Sequence, residues 1–166
     1  MATVCLQNSA ARPLAGKKID LLRYYSMLPS RNKPDDGFLP GLPSLLRDLL
    51  TDLRDEGADC SLPGRLAQSN VRGSDVLVIL EPAQKFELLP YYTSTAGKRL
   101  AGLVSGEISG RLKEAAPVNG TGDYLLSNSI PVALIVRVPE RVLFDERLLA
   151  AFNDSLAAAL RKFFAR

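Results

Sequence analysis

The sequence contains no histidine among its 166 residues. Histidine is the most frequent general base in enzymes and a ligand in most catalytic zinc sites. Its absence excludes a Ser-His-Asp triad, a Cys-His pair and every histidine-containing zinc site. A four-cysteine zinc site is excluded as well, because the chain has only two cysteines.

Cysteines and long apolar segments are also scarce. Cys5 and Cys60 form neither a Cys-x-x-Cys pair nor a disulfide framework, so we interpret both as free thiols and expect Cys60 to be buried. No window reaches the roughly eighteen apolar residues of a membrane span, and the N-terminus lacks the basic and apolar regions of a signal peptide. We expect a soluble protein, and the residues themselves leave its compartment open.

The charge balance is nearly even, with 21 basic and 18 acidic residues and a net charge of +3. The basic residues are scattered rather than clustered, which argues against nucleic acid as a partner. An apolar fraction of 46% fits one domain with a substantial core. We assign residues 1–16 to a loose N-terminal arm and residues 17–166 to a single α/β domain.

Two continuous apolar segments organise this domain. Residues 76–80 are all apolar and lie between Asp75 and Glu81, and residues 130–138 form a second such segment in which Arg137 is the one charged residue. Each is too short for a helix and too continuous for a half-exposed strand, a pattern typical of strands with packed elements on both faces. We predict that the two strands lie side by side in the middle of a sheet.

The rest of the chain predicts a three-layer α/β fold, in which helices cover both faces of a mostly parallel central sheet of five or six strands. Pro90 cannot donate a hydrogen bond to a neighbouring strand, so its segment should lie at a sheet edge. Asp145 is the expected N-cap of the last helix. The predicted helices cover residues 44–56, 95–113 and 145–164, the further strands residues 17–25, 58–62 and 86–92, and the loops residues 26–43 and 114–123.

Candidate functional residues follow from the strand ends, because ligands of open parallel sheets bind beyond the carboxyl ends of the strands. Glu81 and Arg137 lie at or near two such ends, and Arg23 and Tyr25 close the first strand. These four residues are our ligand-binding candidates. A purely structural ion pair between Glu81 and an arginine is the alternative interpretation. We predict no catalytic residue, no metal ligand and no cofactor.

Three glycines recur at intervals of four along the second long helix. Gly102, Gly106 and Gly110 therefore lie nearly in line, at a helix-propensity cost of about 1 kcal/mol each relative to alanine. Such a smooth strip lets another backbone approach closely. Close packing on the sheet is the simpler interpretation, and a contact between subunits is the second.

Five segments, in order between about residues 17 and 164, resemble one known family. The family is that of the zinc-dependent N-acetylmuramoyl-L-alanine amidases, which cut peptidoglycan stems. Lys18–Ser26 resembles its first strand, which ends in Gly-His-Gly, and Ile130–Val136 resembles its Ile-Pro-Ala-Val-Leu-Val-Glu strand. Leu45–Arg65 is similar to its helix, glycine and strand ending in Thr-Arg, Ser74–Ala83 to its strand ending in Ser-Ile-His-Ala-Asn, and Tyr91–Ala101 to its tyrosine strand and Ser-x-x-Leu-Ala helix.

The resemblance fails at every catalytic position. It implies the first zinc histidine at or beside Tyr25, the zinc glutamate within residues 40–43, the second zinc histidine at Glu81 and the catalytic glutamate at Val136, and all are replaced. The resemblance thus implies an amidase-like fold without amidase activity, and a cell-envelope location.

Our leading functional hypothesis is an inactive binding or assembly module, acting on cell-wall fragments or within a larger complex. The alternatives are a structural subunit that assembles through the glycine strip, and a hydrolase or transferase that works without zinc and uses Glu81 with Arg23 or Arg137.

Overall fold

The computed structural model describes residues 12–23, 41–63 and 65–165, with the backbone alone for Arg23 and residues 41–45. The strands in these ranges are β1 (Lys18–Arg23), β2 (Asp59–Ser61), β3 (Val76–Ala83), β4 (Glu87–Pro90) and β5 (Val132–Pro139). The helices are α1 (Gly41–Asp55), α2 (Leu66–Arg72), α3 (Thr95–Leu112), α4 (Tyr124–Ser127), α5 (Glu140–Leu143) and α6 (Glu146–Phe164).

The five strands form one sheet in the order β2-β1-β3-β5-β4. All neighbours are parallel except β4, which runs antiparallel to β5 at one edge. The predicted mostly parallel α/β sheet is therefore confirmed, as are the central, adjacent positions of β3 and β5. Pro90 lies in the edge strand, as its missing N–H predicts.

The two faces of β3 bury different sets of residues. Val78 and Leu80 point into the larger core, on the face that α1, α3, α5 and α6 cover, and we call this the main face. Leu77 and Ile79 point to the opposite, second face, where residues of α2 and α4 pack. All four side chains are fully buried, which explains why the segment is continuously apolar.

Helix α6 packs Phe152, Leu156 and Leu160 into the main core. Asp145 caps the helix, since its side chain accepts hydrogen bonds from the backbone N–H groups of Arg147 and Leu148. The predicted N-cap is confirmed.

The last turn of α6 is anchored to two other parts of the fold. Arg161 forms an ion pair with Glu56, just beyond α1, and Lys162 forms one with Glu107 of α3. Arg99 of α3 stacks its guanidinium 4.5 Å from the ring centroid of Phe163 and donates to the carbonyl of the same residue. The end of this helix thus joins α1 and α3.

A buried polar cluster, which we call the Asp20 cluster, fixes α2 against the sheet. The Asp20 carboxylate accepts hydrogen bonds from the hydroxyls of Ser69 and Ser74 and from Arg72 Nε at 2.9 Å. Arg72 also donates to the carboxylate and the carbonyl of Asp59. Every oxygen of the buried carboxylate is thereby satisfied, which a buried charge requires.

Residues 117–121, which we call the edge strap, pair with the outer edge of β4. Leu88 donates to the Pro117 carbonyl, and its own carbonyl accepts from Asn119, both at 2.9 Å. Thr121 donates to Pro90 and Tyr92 donates to Thr121. Residues 114–123 form neither a helix nor a strand, as predicted for a loop, but unpaired backbone groups of the edge strand recruit part of this segment.

Several boundaries differ from the sequence-based prediction. Helix α1 begins at Gly41 rather than Ser44, because Pro43 is tolerated in a first helical turn. The short helices α4 and α5 were not predicted; Asp123 caps α4 through its side chain. Leu14 is fully buried in the main core, so the chain contributes to the core before residue 17, while residues 1–11 of the predicted arm lie outside the described residues.

The glycine strip of α3 faces outward. A Cβ built on Gly102, Gly106 or Gly110 would meet no atom of the described residues within 4 Å. The simpler interpretation, close packing of the strip on the sheet, is therefore wrong: Leu100, Val104 and Ile108 form the buried side of α3. Each glycine of the strip lies two positions after one of these buried residues, which is about 200° around the helix, so the strip lies opposite the buried side.

Candidate functional site

The carboxyl ends of β1, β3 and β5 lie next to one another in the sheet. Arg23, the last residue of β1, is in register with Leu80, and Glu81 of β3 is in register with Arg137 of β5. The sheet thus places Arg23, Glu81 and Arg137 at the end of the sheet where the carboxyl ends of the parallel strands lie, which we call the rim. This is the location at which open parallel sheets bind ligands.

Glu81 and Arg137 form an ion pair at the rim. The distance from Arg137 Nε to Glu81 Oε2 is 3.5 Å, and the Glu81 side chain is 2% exposed. Both follow the alternation of the second face, beyond Ile79 on β3 and Ile135 on β5. A buried carboxylate needs a compensating charge, and Arg137 supplies it.

Two further residues extend this pair toward the sheet edge. Arg137 Nη1 lies 3.1 Å from Glu87 Oε2 on β4, and Asn119 Nδ2 of the edge strap lies 3.3 Å from Glu87 Oε1. The side chains of Glu81, Arg137, Glu87 and Asn119 therefore form a continuous row across β3, β5, β4 and the strap, which we call the rim ladder.

The side chain of Arg137 is partly exposed, with 26% of its surface accessible. Its Nε and Nη1 are engaged, whereas Nη2 has no acceptor among the described residues. A partly desolvated guanidinium with unused N–H groups can donate to a carboxylate, phosphate or carbonyl oxygen of a bound molecule.

The other predicted site residues are placed as follows. Arg23 contributes its backbone to the rim, and Tyr25 lies outside the described residues. Val136 is fully buried in the main core, on the face opposite Glu81. The ion pair considered as an alternative for Glu81 is present; ligand binding at the rim stays a prediction.

Glu87 and Asn119 are ladder residues that sequence reasoning missed. Glu87 meets Arg137 only because β4 runs antiparallel beside β5, and Asn119 meets Glu87 only because the strap follows β4. Pro90 predicted an edge strand but gave no partner for it. The missing signal was the long-range pairing, which local patterns do not contain.

The side chains at the rim do not form a metal site. Within residues 12–23, 41–63 and 65–165, no three Cys, Asp or Glu side chains are grouped in a way that could hold a metal ion. Zinc prefers imidazole and thiolate ligands, yet the chain has no histidine, and the Glu81 carboxylate is engaged by Arg137. The rim residues therefore do not fit a catalytic zinc.

Cys60 is a weak candidate nucleophile. It is a free, buried thiol on β2, and burial raises its pKa to about 11. A thiol with that pKa is almost wholly protonated at neutral pH, and the thiolate is the reactive form.

Comparisons with known proteins bear on the fold. No protein-family model matches the sequence, and no curated protein matches it. Among solved structures, the N-acetylmuramoyl-L-alanine amidase AmiC2 of Nostoc punctiforme superposes with a TM-score of 0.70 at 14% identity, over 92% of this chain and 99% of that one. The chain has the N-acetylmuramoyl-L-alanine amidase fold.

Two other structures agree with this amidase fold. The amidase Ami1 of Mycobacterium smegmatis gives a TM-score of 0.69 at 12% identity, over 91% of this chain and 98% of that one. The CwlD amidase of Clostridioides difficile, solved in complex with the GerS lipoprotein, gives 0.69 at 9% identity, over 89% and 98%. No helix within the described ranges has the length and apolar content that crossing a bilayer requires.

Proposed function

We propose that this chain is a catalytically inactive amidase-like protein that acts as a binding or assembly module. The observation that carries the proposal is the Glu81–Arg137 ion pair at the rim. The resemblance implies a zinc histidine at position 81, but here a carboxylate already has a guanidinium as its partner. Zinc hydrolysis needs three metal ligands and a general base, and a chain without histidine has none of the imidazoles that the resemblance implies.

The rim is the proposed binding surface. Arg137 supplies partly exposed N–H donors at the rim, and β3 separates it from the end of β1, where Arg23 lies and Tyr25 follows in sequence. The ligand would be a cell-wall fragment or an extracytoplasmic protein, which agrees with the envelope location that the fold suggests. A similar protein, CwlD, was solved with a lipoprotein partner, so this fold supports protein complexes.

Metal analysis and an activity assay test the loss of catalysis. We expect the purified protein, incubated with zinc and then desalted, to retain no stoichiometric zinc and to release no stem peptide from peptidoglycan. An amidase of the same fold, treated in parallel, serves as the positive control. Zinc-dependent release of stem peptide by this chain would contradict the proposal.

A binding assay tests the rim. We expect the protein to co-sediment with purified peptidoglycan, or to retain a partner from an envelope extract, and we expect Arg137→Met to weaken this binding about tenfold or more. Arg47→Met is the matched control, because Arg47 is an exposed arginine on α1. Equal binding by both variants would exclude Arg137 from the binding surface.

A structural subunit is the second candidate, and the open space over the glycine strip favours it. Three outward glycines weaken α3 without serving any contact within the described residues. Light scattering tests this candidate: if the strip forms an interface, the protein is an oligomer, Gly106→Glu yields monomers, and the control Gly106→Ala assembles. A strictly monomeric wild-type protein would contradict it.

A further inference from the structure

We infer that the edge strap can detach from β4 and that the rim ladder stabilises its attached position. The strap forms hydrogen bonds with the outward backbone groups of β4 and of Tyr92 just beyond it. These groups are the N–H and C=O of Leu88, the C=O of Pro90 and the N–H of Tyr92. Opening it would turn β4 into a free edge, able to pair with an extended segment of another chain. The opening of the strap does not depend on the proposed binding function, whereas its response to a rim ligand rests on that function.

The strap is held more weakly than the strands. It meets β4 in two isolated bridges, Leu88 with Val118 and Tyr91 with Thr121, rather than in a continuous ladder. Pro117, Val118, Asn119 and Gly120 are all exposed, so detaching them uncovers little apolar surface. Segments with few buried apolar contacts open at a lower free energy than the core.

The two ends of the strap are fixed. Ala116 is buried, and its carbonyl accepts a hydrogen bond from the Ser105 hydroxyl at 2.6 Å. Asp123 caps α4 at the other end. Motion is thereby confined to residues 117–121, so the strap can leave β4 without unfolding α3 or α4.

The rim ladder couples the strap to the rim. Asn119 is the strap side chain that contacts the ladder, and its partner Glu87 is oriented by Arg137. A rim ligand that draws the Arg137 guanidinium away leaves Glu87 without its cation and free to turn toward water. The Asn119 contact is then lost. Binding at the rim and opening at the edge are therefore linked through two side chains.

Amide hydrogen exchange, read residue by residue by NMR, tests the inference. The amides of Leu88, Asn119, Thr121 and Tyr92 report on the strap, and Leu89, whose backbone faces β5, reports on the sheet. We expect the four strap amides to exchange with one shared opening free energy and about tenfold or more faster than Leu89, relative to their intrinsic rates. If all five amides exchanged with the same high protection, the strap would not open separately from the sheet, and the inference would be wrong.

A double-variant cycle tests the coupling. We expect Asn119→Ala and Arg137→Met each to speed strap exchange several-fold relative to Leu89, and the double variant to be little faster than the faster single one. If the double variant instead showed the product of the two single increases in exchange rate, the rim and the strap would not be coupled. The control is Arg161→Met, which breaks a distant ion pair with Glu56 and should leave the ratio unchanged. Glu87→Gln replaces Arg137→Met if the latter fails to fold.

Discussion

Two acid–arginine clusters lie on the second face of the same sheet and differ in how many N–H groups of their arginines are engaged by the described residues. Asp20 is 0% exposed and pairs with Arg72, which is 25% exposed; Glu81 is 2% exposed and pairs with Arg137, which is 26% exposed. Arg72 approaches its carboxylate to 2.9 Å and is supported by two serine hydroxyls, whereas Arg137 approaches to 3.5 Å.

The difference indicates distinct roles for two similar sets of residues. The Asp20 cluster binds α2 to the sheet with short hydrogen bonds to two serines and an arginine. In the rim ladder the arginine is shared between two carboxylates and retains an unused Nη2 among the described residues. A cluster that is saturated by its own fold suits structure, and one with spare donors suits recognition.

Removing the Asp20 carboxylate gives the largest expected effect. Asp20→Ala leaves Arg72, Ser69 and Ser74 without their shared acceptor in a buried site, and we expect it to lower the free energy of unfolding by about 3–5 kcal/mol. Urea unfolding measures the loss. Asp59→Asn is the control, because Asp59 is an exposed partner of the same arginine. A loss below about 1 kcal/mol would remove the distinction between the clusters.

Glu81→Gln should have an intermediate effect. The variant keeps the side-chain shape but loses the charge that faces Arg137, so we expect a loss of about 1–2 kcal/mol in the same urea experiment. The exposed Glu140→Gln serves as the control. The enzyme alternative makes the opposite prediction, which is an activity abolished at unchanged stability.

A third cluster, in which Glu107 pairs with the largely exposed side chains of Lys162 and Arg111, should give the smallest effect, and that effect should depend on pH. A hydrogen bond from Lys162 holds the pKa of Glu107 below its ordinary value of 4.5, although burial opposes this. A lowered pKa means that the ionised carboxylate stabilises the fold above the unfolded pKa, and that this contribution is lost as the pH falls through the folded pKa.

We therefore expect Glu107→Gln to lower stability by less than about 1 kcal/mol at pH 7, and to match the wild type once the pH lies below the folded pKa. Thermal unfolding at pH 7 and at a series of successively lower pH values measures the difference. A difference that stays constant across the whole series would assign the effect of Glu107 to packing rather than to charge.

The central sheet could be predicted from sequence because its signal is local. Residues 76–80 and residues 130–136 are apolar without interruption, a pattern typical of strands that are buried on both faces. The Asp145 cap is equally local. Helices α4 and α5 have four residues each, which is too short for an apolar period to emerge.

The candidate site could be predicted only in part. The proximity of Glu81 and Arg137 could be predicted from their positions at strand ends, because the carboxyl ends of parallel strands lie at the same end of the sheet. Glu87 and Asn119 depend on an antiparallel strand and a strap that pair across long stretches of sequence. Such pairing is a property of the folded sheet and leaves no periodic trace in the chain.

The anchored end of α6 has a practical consequence for work with this protein. Arg161, Lys162 and Phe163 hold the helix to Glu56, Glu107 and Arg99 within a single turn. Unwinding this turn would remove all of these contacts together and loosen α1 and α3 at once. Affinity tags and labels are therefore better placed away from residues 161–163.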